Sequence, residues 1–446
     1  MGNLNILTRD EIESLGPPIP EELADIGLPE TCLHDLVLKW LAALREATSV
    51  TIAEKLHLPC ALTEELLYHL YRQKLIEMRL QSGAGATRYS MLDTGWERVK
   101  VVQSQRGYVG PAPVPLADYR YMTRLQASLR RPVSMARVRS AFRDLVLPES
   151  LLDTLACVIN SRSSLLLSGR SGTGKTAIAE RMNNALSGSI WVPYAIEVDG
   201  QIIRFFDDKR HETVPDQEPP VERDRRWLQI KRPLIIVGDE VALKKPELEW
   251  SSVSRHYEAP FELQANGGTL VIDDFGRQMV DPHVLFNRWI SPLERRVDFV
   301  TLRNGKTFEV PFEMLVVFST SLEEKVLGDE AFLRRIGYRA NIEPPTAAAY
   351  VEIFKRVAAQ KKVELDEASI SYVLERYAAD QRPMKACEPG DLLNRVSDIC
   401  RLKDRSLELA PDLLEQAWNN YFGVTHSFEV EADEVAPLAE VRSVAV

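Results

Sequence analysis

The sequence predicts an α/β protein with a parallel sheet at its centre, a mostly helical module before it and four helices behind it. Three observations carry that prediction. A buried strand candidate, Ser164-Leu165-Leu166-Leu167-Ser168, runs into the loop Gly169-Arg170-Ser171-Gly172-Thr173-Gly174-Lys175-Thr176, and residues 177–184 go on at helical period. A second apolar strand, 269–272, ends in Asp273 and Asp274 about 100 residues further on. Helical and strand patterns alternate to about residue 343, and helical stretches then fill 346–422.

In front of that core, residues 1–29 hold four prolines and are expected to form a loosely packed leader. Over 30–104 the pattern tightens. Leu33, Leu36, Val37, Trp40, Leu41 and Leu44 recur at helical spacing, and a short second helix around 52–56 stops before Pro59. Thr63 is the expected N-cap of a third helix, with Glu64 and Glu65 in its first turn. Ile76, Met78 and Leu80 then alternate with polar residues at strand period, and Gly83-Ala84-Gly85 turns the chain into 88–92. Three helices and a hairpin resemble a winged helix-turn-helix, down to the Asp93-Thr94-Gly95 that closes the wing in many of them. Residues 105–128 are read as a linker, because 107–115 (GYVGPAPVP) cannot be helical throughout.

The loop at 169–176 has the GxxxxGK[ST] pattern in its strand–loop–helix setting. Gly169, Gly172 and Gly174 permit positive φ, so that the N–H groups of Ser171, Thr173 and their neighbours through Ala177 converge on phosphate oxygens. The helix N-terminus adds a favourable dipole. Lys175, expected to be accessible, reaches the β- and γ-phosphates, and the Thr176 hydroxyl ligates Mg²⁺. Asp273 is placed to hold Mg²⁺ through water, and Asp274 to orient or deprotonate the attacking water. The expected ligands are therefore ATP and Mg²⁺.

With these motifs the chain resembles the AAA+ ATPase superfamily over about residues 129–422. The resemblance implies a three-layer P-loop core with a parallel sheet at 129–344 and a helical lid at 345–423; residues 424–446, acidic with no aromatic after Phe428, are expected to form a flexible tail. It implies a sensor-1 position at Ser321, after the strand at 314–319, and an arginine finger in 329–336 (DEAFLRRI). Arg335 is the first choice for the finger and Arg334 the reserve; the competing reading pairs either with Glu330 or Glu324 on the surface. Three positions depart from the pattern. Asp274 stands for the usual Glu, Ser321 for Asn, and Gly390 for the sensor-2 arginine, which Arg382, Lys385 or Arg395 would have to replace. Together they imply slow hydrolysis. The insertions between 190 and 268 distantly resemble those of MoxR-type relatives. They include hairpin strands around Asp199-Gly200, an exposed stretch at 211–226 and a lone, inert loop histidine, His211.

Composition sets the remaining bounds. The 446 residues carry 55 Lys+Arg against 65 Asp+Glu, a net charge of −10, which argues against bulk-charge binding to nucleic acid or anionic membrane. No apolar run approaches a membrane span, the N-terminus lacks a secretory signal, and five scattered cysteines suit a reducing cytoplasm better than a disulfide scaffold or zinc site. Residues 30–100 hold nine basic and nine acidic side chains, with acids at the end of the third helix that would read DNA. Docking of a partner protein is preferred to DNA on that ground. The more basic stretch 120–143 reads first as a solvated helix face. The expectation is a cytoplasmic AAA+ ATPase in a homo-oligomer, by resemblance a hexameric ring, that remodels an unnamed client. Its rivals are a DNA-bound regulatory or replication-type ATPase and an ATP-binding scaffold that hardly hydrolyses.

Overall fold

The computed structural model describes residues 16–79, 87–215, 223–238, 248–252, 255–278, 282–323, 327 and 333–423, with 249 and 282–287 as backbone. It divides into two compact units, the first ending at Glu343 and the second beginning at Pro344.

The first unit opens with a short 3-10 turn, Leu23–Ile26. Next come α1 (Glu30–Leu44), β1 (Glu46–Thr48), α2 (Ser49–Leu56), α3 (Cys60–Arg72), β2 (Ile76–Arg79), β3 (Arg88–Met91) and α4 (Asp93–Gln105). The three strands form an antiparallel sheet in the order β1-β3-β2. Thr48 caps α2 by accepting from the Thr51 amide at 3.2 Å. Helix α3 begins four residues earlier than expected. Pro59 precedes its first turn, and the Thr63 hydroxyl donates back to the Pro59 carbonyl at 3.0 Å instead of capping. Asp93-Thr94-Gly95 does not simply close the hairpin but opens α4, where a Cβ on Gly95 would lie 2.2 Å from the Leu75 carbonyl oxygen.

The described part of the leader and the expected linker are both packed. Ile26, Tyr108 and Ala112 share a core with Leu33, Leu36, Val37, Leu56 and Leu66 of the helices and with Ala195 and Ile202 further on. Lys39 donates to the Tyr108 carbonyl at 3.2 Å and Trp40 to that of Gly110 at 3.1 Å. The glycines and prolines of 107–115 prevent a helix, but they leave carbonyls turned inward that buried donors satisfy.

Residues 114–115 form β4 (Val114–Pro115), followed by α5 (Leu116–Ser128), α6 (Met135–Ala141), α7 (Glu149–Ser161), β5 (Leu165–Ser168) and α8 (Lys175–Ala185). The insertion contributes β6 (Ser189–Pro193), β7 (Ala195–Val198), β8 (Gln201–Arg204) and β9 (Trp227–Lys231). Asp199 and Gly200 both take positive φ, 52° and 75°, the turn that matches a two-residue hairpin. The core resumes with β10 (Leu234–Val237), β11 (Glu249–Ser251), β12 (His256–Glu258), α9 (Phe261–Gln264), β13 (Thr269–Ile272) and α10 (Pro282–Arg295). Strands β14 (Val297–Thr301), β15 (Thr307–Pro311), β16 (Leu315–Thr320) and β17 (Tyr338–Asn341) complete the unit.

The predicted α/β class, with a parallel core sheet and C-terminal helices, is the fold observed. Five parallel strands run in the order β10-β13-β16-β5-β17. Strands β5, β13 and β16 are buried along their whole length, as expected of a parallel sheet covered on both faces. Leu165 and Leu167 join one apolar layer with Ile178 and Met182, while Leu166 faces the other with Phe275, Trp289 and Phe318. The chain enters at β5, places three strands on one side of it and returns to its other side as β17. That switch in direction opens a crevice at the carboxyl end of β5, where the glycine loop lies.

The stretch 211–226 is exposed in part: of its described residues Glu212, Thr213, Pro215 and Arg225 are exposed, whereas His211, Asp224 and Arg226 are buried. Asp224 and Arg226 form an ion pair of 2.8 Å, and Arg226 also donates to the carbonyls of Ile26 and Pro113. The basic stretch 120–143 keeps a solvated face, with Arg124, Arg131, Arg139 and Arg143 exposed, but three of its arginines also reach backbone carbonyls. Arg120 donates to the Glu309 carbonyl, Arg130 to Ile159 and Arg137 to Ala185. Burial, with Arg232, Arg162 and Arg296 nearby, pushes the Arg130 guanidinium down to about 10.

The second unit is four helices: α11 (Ala347–Gln360), α12 (Glu367–Ala379), α13 (Glu388–Leu402) and α14 (Pro411–Phe422). Its core includes Tyr350, Phe354, Leu393, Leu413 and Trp418. Buried Glu388 accepts from the Tyr377 hydroxyl at 2.6 Å and the Lys385 amide at 2.8 Å. Among the described residues no helix is long and apolar enough to cross a membrane.

Candidate functional site

The glycine loop is shaped by its backbone. Gly169 has φ of 145°, and a Cβ there would sit 2.3 Å from the Ile342 carbonyl oxygen. Gly174, at φ of 92°, turns the chain into α8. Between them Ser171 is exposed, Gly172 half-buried and Thr173 buried, its hydroxyl donating to the Arg170 carbonyl at 2.9 Å. Contrary to expectation Lys175 is buried, at 8% exposure. Its Nζ folds over the loop and donates to the carbonyls of Gly169 (2.8 Å) and Arg170 (3.0 Å). Burial lowers its pKa, against the pull of Asp273 and Asp274, which favour the charged form.

Thr176, in the first turn of α8, donates its hydroxyl to Asp273 Oδ2 at 3.0 Å. Asp273 follows β13, and its amide donates to the Val237 carbonyl at 2.8 Å, which fixes the strand end. A hydroxyl beside a carboxylate is an oxygen donor set that suits a hard cation such as Mg²⁺. Asp274 is exposed and sits in the left-handed region at φ of 48°. Asp tolerates that conformation better than Glu, which gives a backbone reason for the shorter acid.

Register places the remaining positions. Ile272 lies opposite Phe318 and Thr320 opposite Ser168, so Asp273, Ser321 and Gly169 follow three adjacent strands on one edge of the sheet. The Ser321 and Ser319 hydroxyls are buried with no hydrogen-bond partner among the described residues. Thr320 instead donates to the Phe275 carbonyl at 2.7 Å. Gln278 was not visible as a site residue in the sequence. It is buried, donates to the Asp273 carbonyl at 3.1 Å and accepts from the Gly276 amide at 2.7 Å, holding the turn after the two acids. No motif marks it; a polar residue after FGR reads as solvated.

Arg335 is not in this cluster. It precedes β17 and lines a small cavity with Ser163, Ser164 and Met314, at the end of the sheet opposite the glycine loop. Its Nε donates to Glu294 Oε1 at 2.8 Å, an exposed pair different from either expected partner; Glu324 and Glu330 lie outside the described residues. Arg334 is exposed. In the second unit, a Cβ on Gly390 would meet nothing within 4 Å, so packing does not require glycine there. The possible substitutes are engaged within that unit: Arg382 beside Asp380 at 3.7 Å, Lys385 beside Glu388 at 3.7 Å and Arg395 with Asp398 at 3.2 Å. His211 is structural. It accepts from the Asp207 amide at 3.2 Å, contacts the Gln264 carbonyl at 3.1 Å and stacks on Phe205.

A family of domains of unknown function, DUF8689, matches residues 346–420, which are the four helices of the second unit. No curated protein matches the chain in sequence. Among solved structures the chain is similar to Thermotoga maritima RuvB, a Holliday junction branch migration motor, at 15% identity and a TM-score of 0.37, over 62% of this chain and 70% of that one. It is similar to the T158V form of the same protein at 14% identity, with a TM-score of 0.37, over 65% and 70%. Brucella abortus NtrX in complex with ATP is similar at 15% identity and a TM-score of 0.37, over 65% of this chain and 64% of that one.

Proposed function

We propose that this chain is an ATPase of the AAA+ type, in which nucleotide binding and slow hydrolysis in a homo-oligomer act on a partner protein. The observation that carries the reading is the Thr176–Asp273 contact, which brings the glycine loop and the acidic strand end to one point. Loop amides and Lys175 bind the phosphates of ATP, and Thr176 and Asp273 hold Mg²⁺. The ion, when bound, neutralises charge on the transferring phosphoryl group. Asp274 receives the proton of the attacking water, and Ser321 offers a hydroxyl toward the same edge. Slow turnover follows from a short acid on a constrained backbone and from a hydroxyl where an amide would orient water better.

Arg335 lies too far from its own loop to act there, so it serves the neighbouring subunit, in a ring that the resemblance makes hexameric. The front module reads as a winged helix-turn-helix whose exposed α3 face carries Glu64, Glu65, Tyr68 and Tyr71. Acids there oppose a phosphate backbone, and tyrosines favour a protein surface. Phosphate release by the wild type and the Asp273→Asn variant, alongside binding of a fluorescent ATP analogue with and without Mg²⁺, tests the reading. Binding without Mg²⁺ dependence, or equal turnover in the variant, overturns it.

A further inference from the structure

We propose that Glu30, His34 and His69 form a binding site for a divalent transition-metal ion of the zinc class on the front module. Glu30 and His34 are four residues apart on α1 and so share one face of it. His69, on α3, brings its Nδ1 to 2.6 Å from Glu30 Oε1. One potential ligand atom from each of the three lies within 4.8 Å of the others. The two imidazoles meet edge-on, with ring centroids 6.1 Å apart.

The decisive residue is His34. It is 3% exposed, and its Nε2 is buried without a hydrogen-bond partner among the described residues. A buried ring nitrogen in that position is costly unless something binds there. Two imidazoles and one carboxylate are a recognised three-ligand zinc set that leaves a fourth position for water or another ligand. Tetrahedral ligands at zinc distances stand about 3.3 Å apart, so the Glu30–His69 contact must open by about 0.7 Å. Both side chains are free to give, being 50% and 36% exposed. Mg²⁺ prefers oxygen ligands, so this site and the Thr176–Asp273 pair select different ions. The ion would clamp α1 to α3, two helices joined there only by side chains.

The test uses the full chain, stripped of metal with a chelator. Zn²⁺ is titrated against a chromophoric indicator, and Co²⁺ is followed by visible absorption. One equivalent is expected to bind, with the strong absorption of four-coordinate cobalt and a higher unfolding midpoint. His69→Ala and Glu30→Gln, both at exposed positions, are each expected to weaken binding at least about tenfold. Asp273→Asn and His57→Ala are expected to bind as the wild type does. Lack of stoichiometric Zn²⁺ binding, binding unchanged in both His69→Ala and Glu30→Gln, or loss in Asp273→Asn instead overturns the proposal, leaving a Glu30–His69 pair with His34 edge-on beside it.

Discussion

Thr176 and Asp273 are 97 residues apart in the chain and 3.0 Å apart in space, hydroxyl to carboxylate. The contact fastens the first turn of α8 to the carboxyl end of β13. It exists because β16 lies between β5 and β13 and brings their ends level. The same carboxylate accepts, through Oδ1, from the Asp274 amide at 3.0 Å, so one side chain holds both the first turn of α8 and the backbone of the next acid.

Lys175→Ala is expected to weaken ATP binding by roughly ten- to a hundredfold, the worth of one or two charge-assisted hydrogen bonds. The fold should survive, because the carbonyls of Gly169 and Arg170 that lose a donor lie at the loop edge. Titration with a fluorescent ATP analogue and a circular dichroism melt measure the two effects. Wild-type affinity would remove the phosphate role from this loop.

The left-handed backbone at Asp274 separates conformation from chemistry. Asp274→Asn keeps a residue that tolerates positive φ, so its stability should stay within about 0.5 kcal/mol while turnover falls about a hundredfold or more. Asp274→Glu is expected to lose up to about 1 kcal/mol of stability to backbone strain, yet to hydrolyse at least as fast as the wild type. A large fall in the Glu variant would show that the site is shaped around the shorter acid.

Arg335→Ala should leave stability nearly unchanged, since its pair with Glu294 is exposed and such pairs contribute about 0–1 kcal/mol. Turnover should fall about a thousandfold or more. Mixed with Lys175→Ala, it should recover part of the lost activity, because some interfaces then join an intact loop to an intact arginine. Size-exclusion chromatography with ATP must show assembly first. Recovery with Arg334→Ala and not with Arg335→Ala would assign the finger to Arg334, and a monomer in which Arg335→Ala hydrolyses normally rules out the trans mechanism.

His211 gives a pH signature. Burial holds its pKa below the usual 6.5, opposed by the Gln264 carbonyl. The Asp207 amide donates to Nδ1, so the native ring is neutral there. The unfolded chain therefore binds the proton more readily as pH drops below about 6.5, and stability falls with it. Denaturant midpoints measured from pH 7.5 to 5.5 should decline less steeply in His211→Gln than in the wild type, although that variant starts lower. Parallel slopes would assign the acid sensitivity elsewhere.

The α/β class and the loop were legible because both are local: a buried run, then a glycine loop, then helical period. Asp273 was legible because an apolar strand that ends in acids at that distance from such a loop has few other meanings. What the sequence hid was long-range partnering. Pro59 and Thr63 each carry helix-start character, and only the observed back-bond to the Pro59 carbonyl separates them. Residues 107–115 read as a spacer because proline and glycine report local conformation; the donors of Lys39, Trp40 and Arg226 that satisfy their carbonyls come from far along the chain. His211 looked inert for want of neighbours in sequence, and its neighbours Phe205, Asp207 and Gln264 meet it through the hairpin and α9.

Arg226, held by a salt bridge to Asp224 in its own stretch, grips two distant ones through the carbonyls of Ile26 and Pro113. Ala195 and Ile202 share the core of the front helices, so the described part of the first module is packed against the insertion as well as tied to it. Under the proposed function, a movement that displaced β9 would carry Ile26 and Pro113 with it. A partner docked on α3 would then be worked by a lever, not paid out on a tether.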